Sequence, residues 1–82
     1  MSLIENIIQH NKDNISKTIK NEISLNSNCI SLVEKSTVKD AVNEKIIKDI
    51  SVEDVKKEYK EISSRKTEIE NIFTSLGADI NG

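Results

Sequence analysis

The sequence contains no proline, and its only two glycines, Gly77 and Gly82, lie at the C-terminal end. Because these residue types interrupt helices most strongly, their absence elsewhere favours long helices with short connections. Tyr59 and Phe73 are the only aromatic residues, so the large rings that usually dominate core energetics are scarce. The hydrophobic fraction is 35% and the charged fraction 32%, lower and higher respectively than is usual for a globular chain. We therefore expect a thin core that buries part of its apolar surface against another subunit or partner.

The single cysteine, Cys29, excludes an intramolecular disulfide and indicates a reducing compartment. The N-terminus has no basic segment, and Glu5 and Asn6 interrupt its apolar residues, which argues against a secretory signal peptide. No stretch approaches the roughly 18 consecutive apolar residues of a membrane span. These features predict a cytoplasmic protein of the producing or host cell, or a virion-associated one, with no membrane partner.

The charge distribution shows no basic stripe set apart for phosphate binding. The net charge is −2, and residues 35–66 hold nine of the twelve basic side chains together with seven acidic ones. Nucleic acid is therefore not an expected partner. Ile, Lys and Asn, which A- and T-rich codons encode, make up about 40% of the chain. This composition predicts a low-GC bacterial, phage or mobile-element origin.

The first predicted element is a helix over residues 3–25. Ser2 and Glu5 have the spacing of a capping box, in which the serine hydroxyl accepts a backbone N–H of the first turn. Apolar residues then recur near the helical period across the polar run at 11–14. These residues are Leu3, Ile4, Ile7, Ile8, Ile15, Ile19 and Ile23.

The second predicted helix spans residues 38–50. Val38, Val42, Ile46 and Ile50 recur at steps of four, and Thr37 with Asp40 forms a second capping pair. Between the first two helices, residues 26–28 are typical of a turn. The conformation of residues 26–36 stays open between a short helix and an irregular segment, because an isolated strand would lack a pairing partner.

The third predicted helix spans residues 52–76 and has the clearest limits. Ser51 precedes Asp54 at capping-box spacing, and Gly77 supplies the left-handed residue that closes many helices. Apolar residues recur between these limits at alternating steps of three and four, which is the heptad pattern of a coiled coil. The seam comprises Val52, Tyr59, Lys66 and Phe73 at position a, and Val55, Ile62, Ile69 and Leu76 at position d.

Together these segments predict an all-α fold for a single domain, 1–82: a small three-helix bundle or a helical hairpin with a coiled-coil-like C-terminal helix. The seam serves as the core of such a bundle, as an interface with another chain, or as both. Lys66 in the seam disfavours a parallel homodimer, because two ammonium groups would face each other, and suits a partner that offers a carboxylate.

The sequence carries no pattern of residues with catalytic or metal-binding spacing. His10 is the only histidine and is expected at the surface, while Cys29 is expected to be a buried or half-buried thiol. No glycine-rich phosphate loop or nucleophile elbow is present. We therefore predict no enzymatic activity, no cofactor, no metal and no small-molecule substrate.

The resulting functional hypothesis is a non-enzymatic protein–protein interaction module. It would act by self-assembly into an oligomer, as a structural or assembly accessory, or by binding and inhibiting a larger host protein. The alternative is a small helical nucleic-acid-linked regulator or antitoxin, in which residues 38–50 and 52–76 form a helix-turn-helix.

Overall fold

The computed structural model describes residues 2–14 and 18–81, and shows three helices and three strands. The strands form one antiparallel sheet in the order β1-β2-β3. The prediction of an all-α helical bundle is therefore wrong, since the chain has an α+β fold. In chain order the elements are α1 (Leu3–Lys12), β1 (Ile19–Asn26), β2 (Cys29–Val38), β3 (Ala41–Ser51), α2 (Val52–Glu61) and α3 (Lys66–Ser75).

Helix α1 begins where the sequence predicts but ends about thirteen residues early. Ser2 is the N-cap, and its hydroxyl oxygen accepts the backbone N–H of Glu5 at 3.0 Å. The helix stops at Lys12, so the prediction of one helix over 3–25 is wrong. Ile15, a member of the predicted stripe, lies outside the described residues. Residues 19–26 form a strand because Ile19, Ile23 and Leu25 fit an alternating pattern as well as a helical one.

The predicted helix over 38–50 is also wrong, because this segment contains the turn of the β2–β3 hairpin and most of β3. A step of four residues is close to the helical period and is also twice the strand period, so the spacing alone does not distinguish them. The turn consists of Lys39 and Asp40, both with positive φ (48° and 66°), as a type I′ hairpin turn requires. Lysine and aspartate are weak signals for that turn. The proposed helix-turn-helix loses its first helix with this correction.

Residues 26–36, left open above, contain a second hairpin turn and most of the central strand. Ser27, with φ of 52°, and Asn28 connect β1 to β2, and Asn26 pairs directly with Cys29. Strand β2 pairs with β1 on one side and β3 on the other. Strand β2 therefore has a pairing partner on each side. The sequence pattern does not indicate these partners, because it predicts helices for both neighbouring segments.

The predicted helix over 52–76 is divided into α2 and α3. Ile62 is extended and Arg65 is left-handed (φ 64°), so residues 62–65 interrupt the helix. The two predicted end points of this segment are confirmed. Helix α2 begins directly after Ser51, and Gly77, with φ of 76°, lies just beyond α3. The Ser51 capping box is wrong, since its side chain makes no capping hydrogen bond.

The core lies between one face of the sheet and the three helices. Every strand contributes to it from the same face, and we call the opposite face of the sheet the open face. Val33 is buried (7% exposed) but does not belong to the core cluster, because it lies on the open face. The buried cluster comprises Ile4, Ile7, Ile8, Ile30, Leu32, Ile50, Val55, Ile69, Ile72, Phe73 and Ile80.

The Glu58 side chain connects helix α2 to the N-terminal end of helix α1. The Glu58 carboxylate on α2 accepts the backbone N–H of Leu3 at 2.9 Å through Oε2 and that of Ile4 at 2.9 Å through Oε1. The first turn of a helix has backbone N–H groups without helical acceptors, and its dipole favours a negative charge there. Glu58 therefore caps α1 and fixes it against α2.

We predict that Glu58→Gln destabilises the fold by about 1–3 kcal/mol, because it replaces a charged acceptor of two backbone N–H groups. Chemical denaturation followed by circular dichroism measures this loss. Glu61→Gln, at an exposed position of the same helix, is the control and should change stability by less than about 0.5 kcal/mol. Equal stability of the two variants would contradict the capping role of Glu58.

We also predict that Lys39→Asn with Asp40→Gly stabilises the protein by about 1 kcal/mol, since Asn-Gly adopts a type I′ turn with less strain. The same double substitution inside a helix would destabilise it, because glycine and asparagine are poor helix formers. Thermal unfolding therefore distinguishes a hairpin from a helix at this position. The control is Asn43→Gly in β3, which should destabilise the protein.

Candidate protein interface

The eight residues of the predicted seam all lie on α2, α3 or the segments that flank them. Val55, Ile69 and Phe73 are fully buried in the core, and four others pack partly buried against it: Val52, Tyr59, Ile62 and Leu76. Lys66 is exposed, and its ammonium lies 5.1 Å from the centre of the Tyr59 ring. The structure thus brings the seam together around an intramolecular core. Its use as an interface with another chain stays a prediction.

Tyr59 joins α2 to α3 through a hydrogen bond that the heptad pattern does not reveal. Its hydroxyl donates to Glu70 Oε2 at 2.5 Å. This hydrogen bond is the main cause that raises the pKa of Tyr59 above its ordinary value, and partial desolvation adds to it. A raised pKa means that the contact stabilises the fold while the phenol is protonated. This stabilisation is lost as the pH rises through the pKa of the folded state.

The chain contains one tyrosine and no tryptophan, so phenolate absorbance reports on Tyr59 alone. We predict that Glu70→Ala lowers the pKa of Tyr59 towards its ordinary value, because the acceptor and the neighbouring charge are both removed. Glu61→Ala is the matched control and should leave the titration unchanged. An unaltered titration in Glu70→Ala would contradict the hydrogen bond.

The large exposed apolar side chains of the described residues all lie on the sheet, and four of the five lie within residues 38–47. The four are Val38, Val42, Ile46 and Ile47, and the fifth is Ile19. Val42 and Ile46 are 63% and 58% exposed. Val42 and Ile46 lie on the open face, whereas Val38 pairs with Ala41 on the opposite face, so the four side chains do not form one patch. Single exposed apolar residues are ordinary on protein surfaces, and a group of them at one end of a sheet is a candidate interaction site. We call residues 38–47 the exposed hairpin.

The hairpin is exposed because the helices cover only part of the sheet. Each helix has ten residues, which corresponds to about 15 Å, whereas the protein is 44 Å in its longest dimension. All residues from Ala41 to Asp49 are exposed, and burial in β3 resumes at Ile50. The part of β3 nearest α2 therefore packs in the core, while the turn end lies outside it.

The open face carries an ion-pair row that identifies which side chains share it. Lys35 Nζ lies 2.9 Å from a Glu22 carboxylate oxygen and 3.3 Å from one of Glu44, so side chains of all three strands meet on this face. Both acceptors raise the pKa of Lys35, the Glu22 hydrogen bond most. Because residues alternate between faces, Val42 and Ile46 lie on the same face as Glu44. The row of acids and lysine is therefore bordered by apolar side chains at the edge of β3.

The two edges of the sheet differ in how much of their main chain is available. At β1, the Asn14 side-chain oxygen accepts the backbone N–H of Asn21 at 3.3 Å, and the Asn21 amide donates to the Asp13 carbonyl oxygen at 3.2 Å. Residues 13–14 thus occupy part of that edge. Within residues 2–14 and 18–81, no segment makes a comparable contact with the outer edge of β3 at residues 41–46.

A β-bulge interrupts the pairing of β3 and sets the limit of its regular edge. Leu32 pairs with Lys48 and Val33 pairs with Ile46, so Ile47 is the additional residue. The bulge moves Ile46 to the open face although Ile50 lies in the core. Bulges and lysines at a sheet edge also oppose indiscriminate edge-to-edge aggregation, and β3 has Lys45 and Lys48 near this bulge.

His10 anchors α1 over the sheet and is half-buried, contrary to the expectation of a surface position. Its Nε2 lies 3.0 Å from the Glu22 carbonyl oxygen and 3.1 Å from that of Val33. Since both neighbours only accept, Nε2 carries a proton and donates to them. His10 also lines an open 260 Å³ cavity together with Ile47 and Lys48, between α1 and the sheet.

The described part of the chain contains no group of three or more His, Cys, Asp or Glu side chains that could hold a metal ion. Cys29 is half-buried, as expected. In the same residues no helix has the length and apolar content needed to cross a membrane.

Comparisons with family models, curated proteins and solved structures find no match to this chain. The site is therefore argued from its own geometry. Sequence reasoning missed the exposed hairpin because it assigned its apolar residues to the core face of a helix. One signal was present, since six of the fourteen residues from Thr37 to Ile50 are β-branched and favour strands.

Proposed function

We propose that this protein is a non-enzymatic protein–protein interaction module that binds its partner through the exposed hairpin and the outer edge of β3. The observation that carries the proposal is the concentration of exposed apolar side chains at residues 38–47. Val42 and Ile46, which share the open face, gain free energy when a partner removes them from water. The thin core, with 35% hydrophobic residues, supports the same conclusion because apolar residues are few and several lie outside the core.

The mode of binding that suits this edge is the addition of a strand. In that mode the outward N–H and C=O groups of an edge strand pair with an extended segment, and alternate side chains provide specificity. Strand β3 supplies the main-chain groups at 41–46, and Val42 and Ile46 supply apolar contacts on the open face. A small module that occupies one strand of a larger protein would act as an inhibitor or as an assembly accessory in a low-GC bacterium, phage or mobile element.

Site-specific photo-crosslinking in the producing cell tests this proposal. We expect a benzophenone amino acid at Ile46 to give a discrete protein adduct, because that side chain lies at the edge that the partner covers. The same amino acid at Thr74, an exposed position of α3, is the matched control and should give none. Val42→Lys should weaken the adduct at position 46 because it places a charge in the apolar contact.

Two results would oppose the proposal. No adduct at position 46 would show that the exposed hairpin does not contact a protein in the cell. Adducts of equal yield at positions 46 and 74, insensitive to Val42→Lys, would show nonspecific capture. The masses of the adducts separate self-assembly from binding to a different protein.

A further inference from the structure

Strand β3 presents a charge pattern at its outer edge that selects among possible partner strands. Val42, Glu44 and Ile46 lie on the open face, while Asn43 and Lys45 lie on the face that the helices share. A strand that adds antiparallel to this edge places each of its side chains opposite one of these, on the same face. The preferred partner can therefore be derived residue by residue, on the basis of the function proposed above.

A second copy of the chain fits this edge poorly. Self-pairing about a two-fold axis puts residues of the same face opposite each other, so the register must be centred on a residue. A centre at Val42 sets Val42 opposite its copy, but it also sets Glu44 opposite Asp40. A centre at Glu44 pairs Val42 with Ile46 but places two Glu44 carboxylates directly opposite. Like charges in such positions destabilise strand pairing.

The remaining regular registers are no better. A centre at Asn43 puts Val42 opposite Glu44, and a centre at Lys45 puts two ammonium groups opposite each other. Registers centred at Ile46 or beyond run through the bulge, where the alternation of faces is broken. Each self-pairing therefore opposes like charges, sets an apolar side chain against a charged one, or crosses the bulge.

Glu44 can accept a second cation on its outer side. Lys35 neutralises Glu22 and Glu44 together, so these three groups keep one excess negative charge. The Glu44 side chain is 61% exposed. The other lysine of this face, Lys20, pairs with Lys35 from β1, two strands and thus about 10 Å from Glu44. A cation opposite Glu44 on an added strand would complete an alternating row of charges across the sheet.

We infer that the strand added to β3 belongs to a different protein, and that it presents an apolar–basic–apolar row to the open face with an acidic residue opposite Lys45. The basic side chain pairs with Glu44, and the apolar ones cover Val42 and Ile46. Pairing of this edge with the same edge of a second copy is disfavoured, because each regular register opposes like charges or sets an apolar side chain against a charged one. The edge therefore recognises a heterologous extended segment.

The probe is the peptide Thr-Thr-Val-Glu-Lys-Thr-Ile-Thr-Thr, whose central lysine lies opposite Glu44 when Val-Glu-Lys-Thr-Ile faces Ile46 to Val42 in the antiparallel direction. Its control, Thr-Thr-Val-Lys-Glu-Thr-Ile-Thr-Thr, exchanges only the two charges. Titration of the isotopically labelled full chain, followed by amide chemical shifts, gives both dissociation constants. We expect the first peptide to bind about fivefold or more tightly, with shifts along β3, and the preference to decrease with salt.

Variants of the protein give the reverse test. Lys45→Glu, which alters none of the observed ion pairs, should reduce the preference, and Glu44→Lys with Lys45→Glu should invert it. Circular dichroism establishes that each variant remains folded. Equal binding of the two peptides, no binding of either, or a preference that Lys45→Glu leaves unchanged would overturn the inference.

The oligomeric state provides an independent check. Sedimentation equilibrium should give a wild-type mass of 9.2 kDa, and a dimer that Val42→Lys dissociates would overturn the choice of a different protein as partner. If a crosslink at position 46 persists while the peptides show no preference, the interaction module stands and only this choice of partner fails. If the crosslink is also absent, both fail.

Discussion

The pairing of β2 with a strand on each side is the constraint on which the rest of the structure depends. It gives the sheet a central strand whose Ile30 and Leu32 form, with Ile50 of β3, the sheet side of the core. Each helix has only ten residues, fewer than the roughly 12–15 that an isolated helix needs even for marginal stability in water. The helices therefore depend for their stability on packing against the apolar face of the sheet.

The same constraint produces the exposed surface. The helices bury one face of the sheet near the C-terminal end of β3, and their length leaves the β2–β3 turn uncovered. An antiparallel sheet can have one face in water. The strands of the projecting hairpin therefore form their main-chain hydrogen bonds without a second layer of helices on the open face. The apolar side chains placed on that hairpin contribute nothing to the core cluster, and the proposed binding function rests on them.

Polar contacts determine how the short elements are held relative to each other. Glu58 fixes the start of α1, His10 donates to the main chain of two strands, and Tyr59 joins α2 to α3. Each contact lies between different secondary-structure elements, and the Glu58 contact spans more than fifty residues of sequence. In a small domain with few large apolar side chains, such hydrogen bonds fix the relative positions of the elements more closely than apolar burial alone would.

The sequence by itself determined the local ends of elements: the Ser2 cap of α1, the start of α2 after Ser51, and the Gly77 terminus beyond α3. These depend on side chains within a few residues of each other. The apolar rows at Val55, Ile69 and Phe73 were also recognised as a contact surface, although the helix that carries them is broken at 62–65. Only the tertiary structure decided that residues 19–51 form a sheet. A four-residue spacing fits both the helical and the strand period, and the Lys39–Asp40 turn has no glycine to mark it. Strand pairing also joins residues that are distant in sequence, and no local pattern identifies such partners.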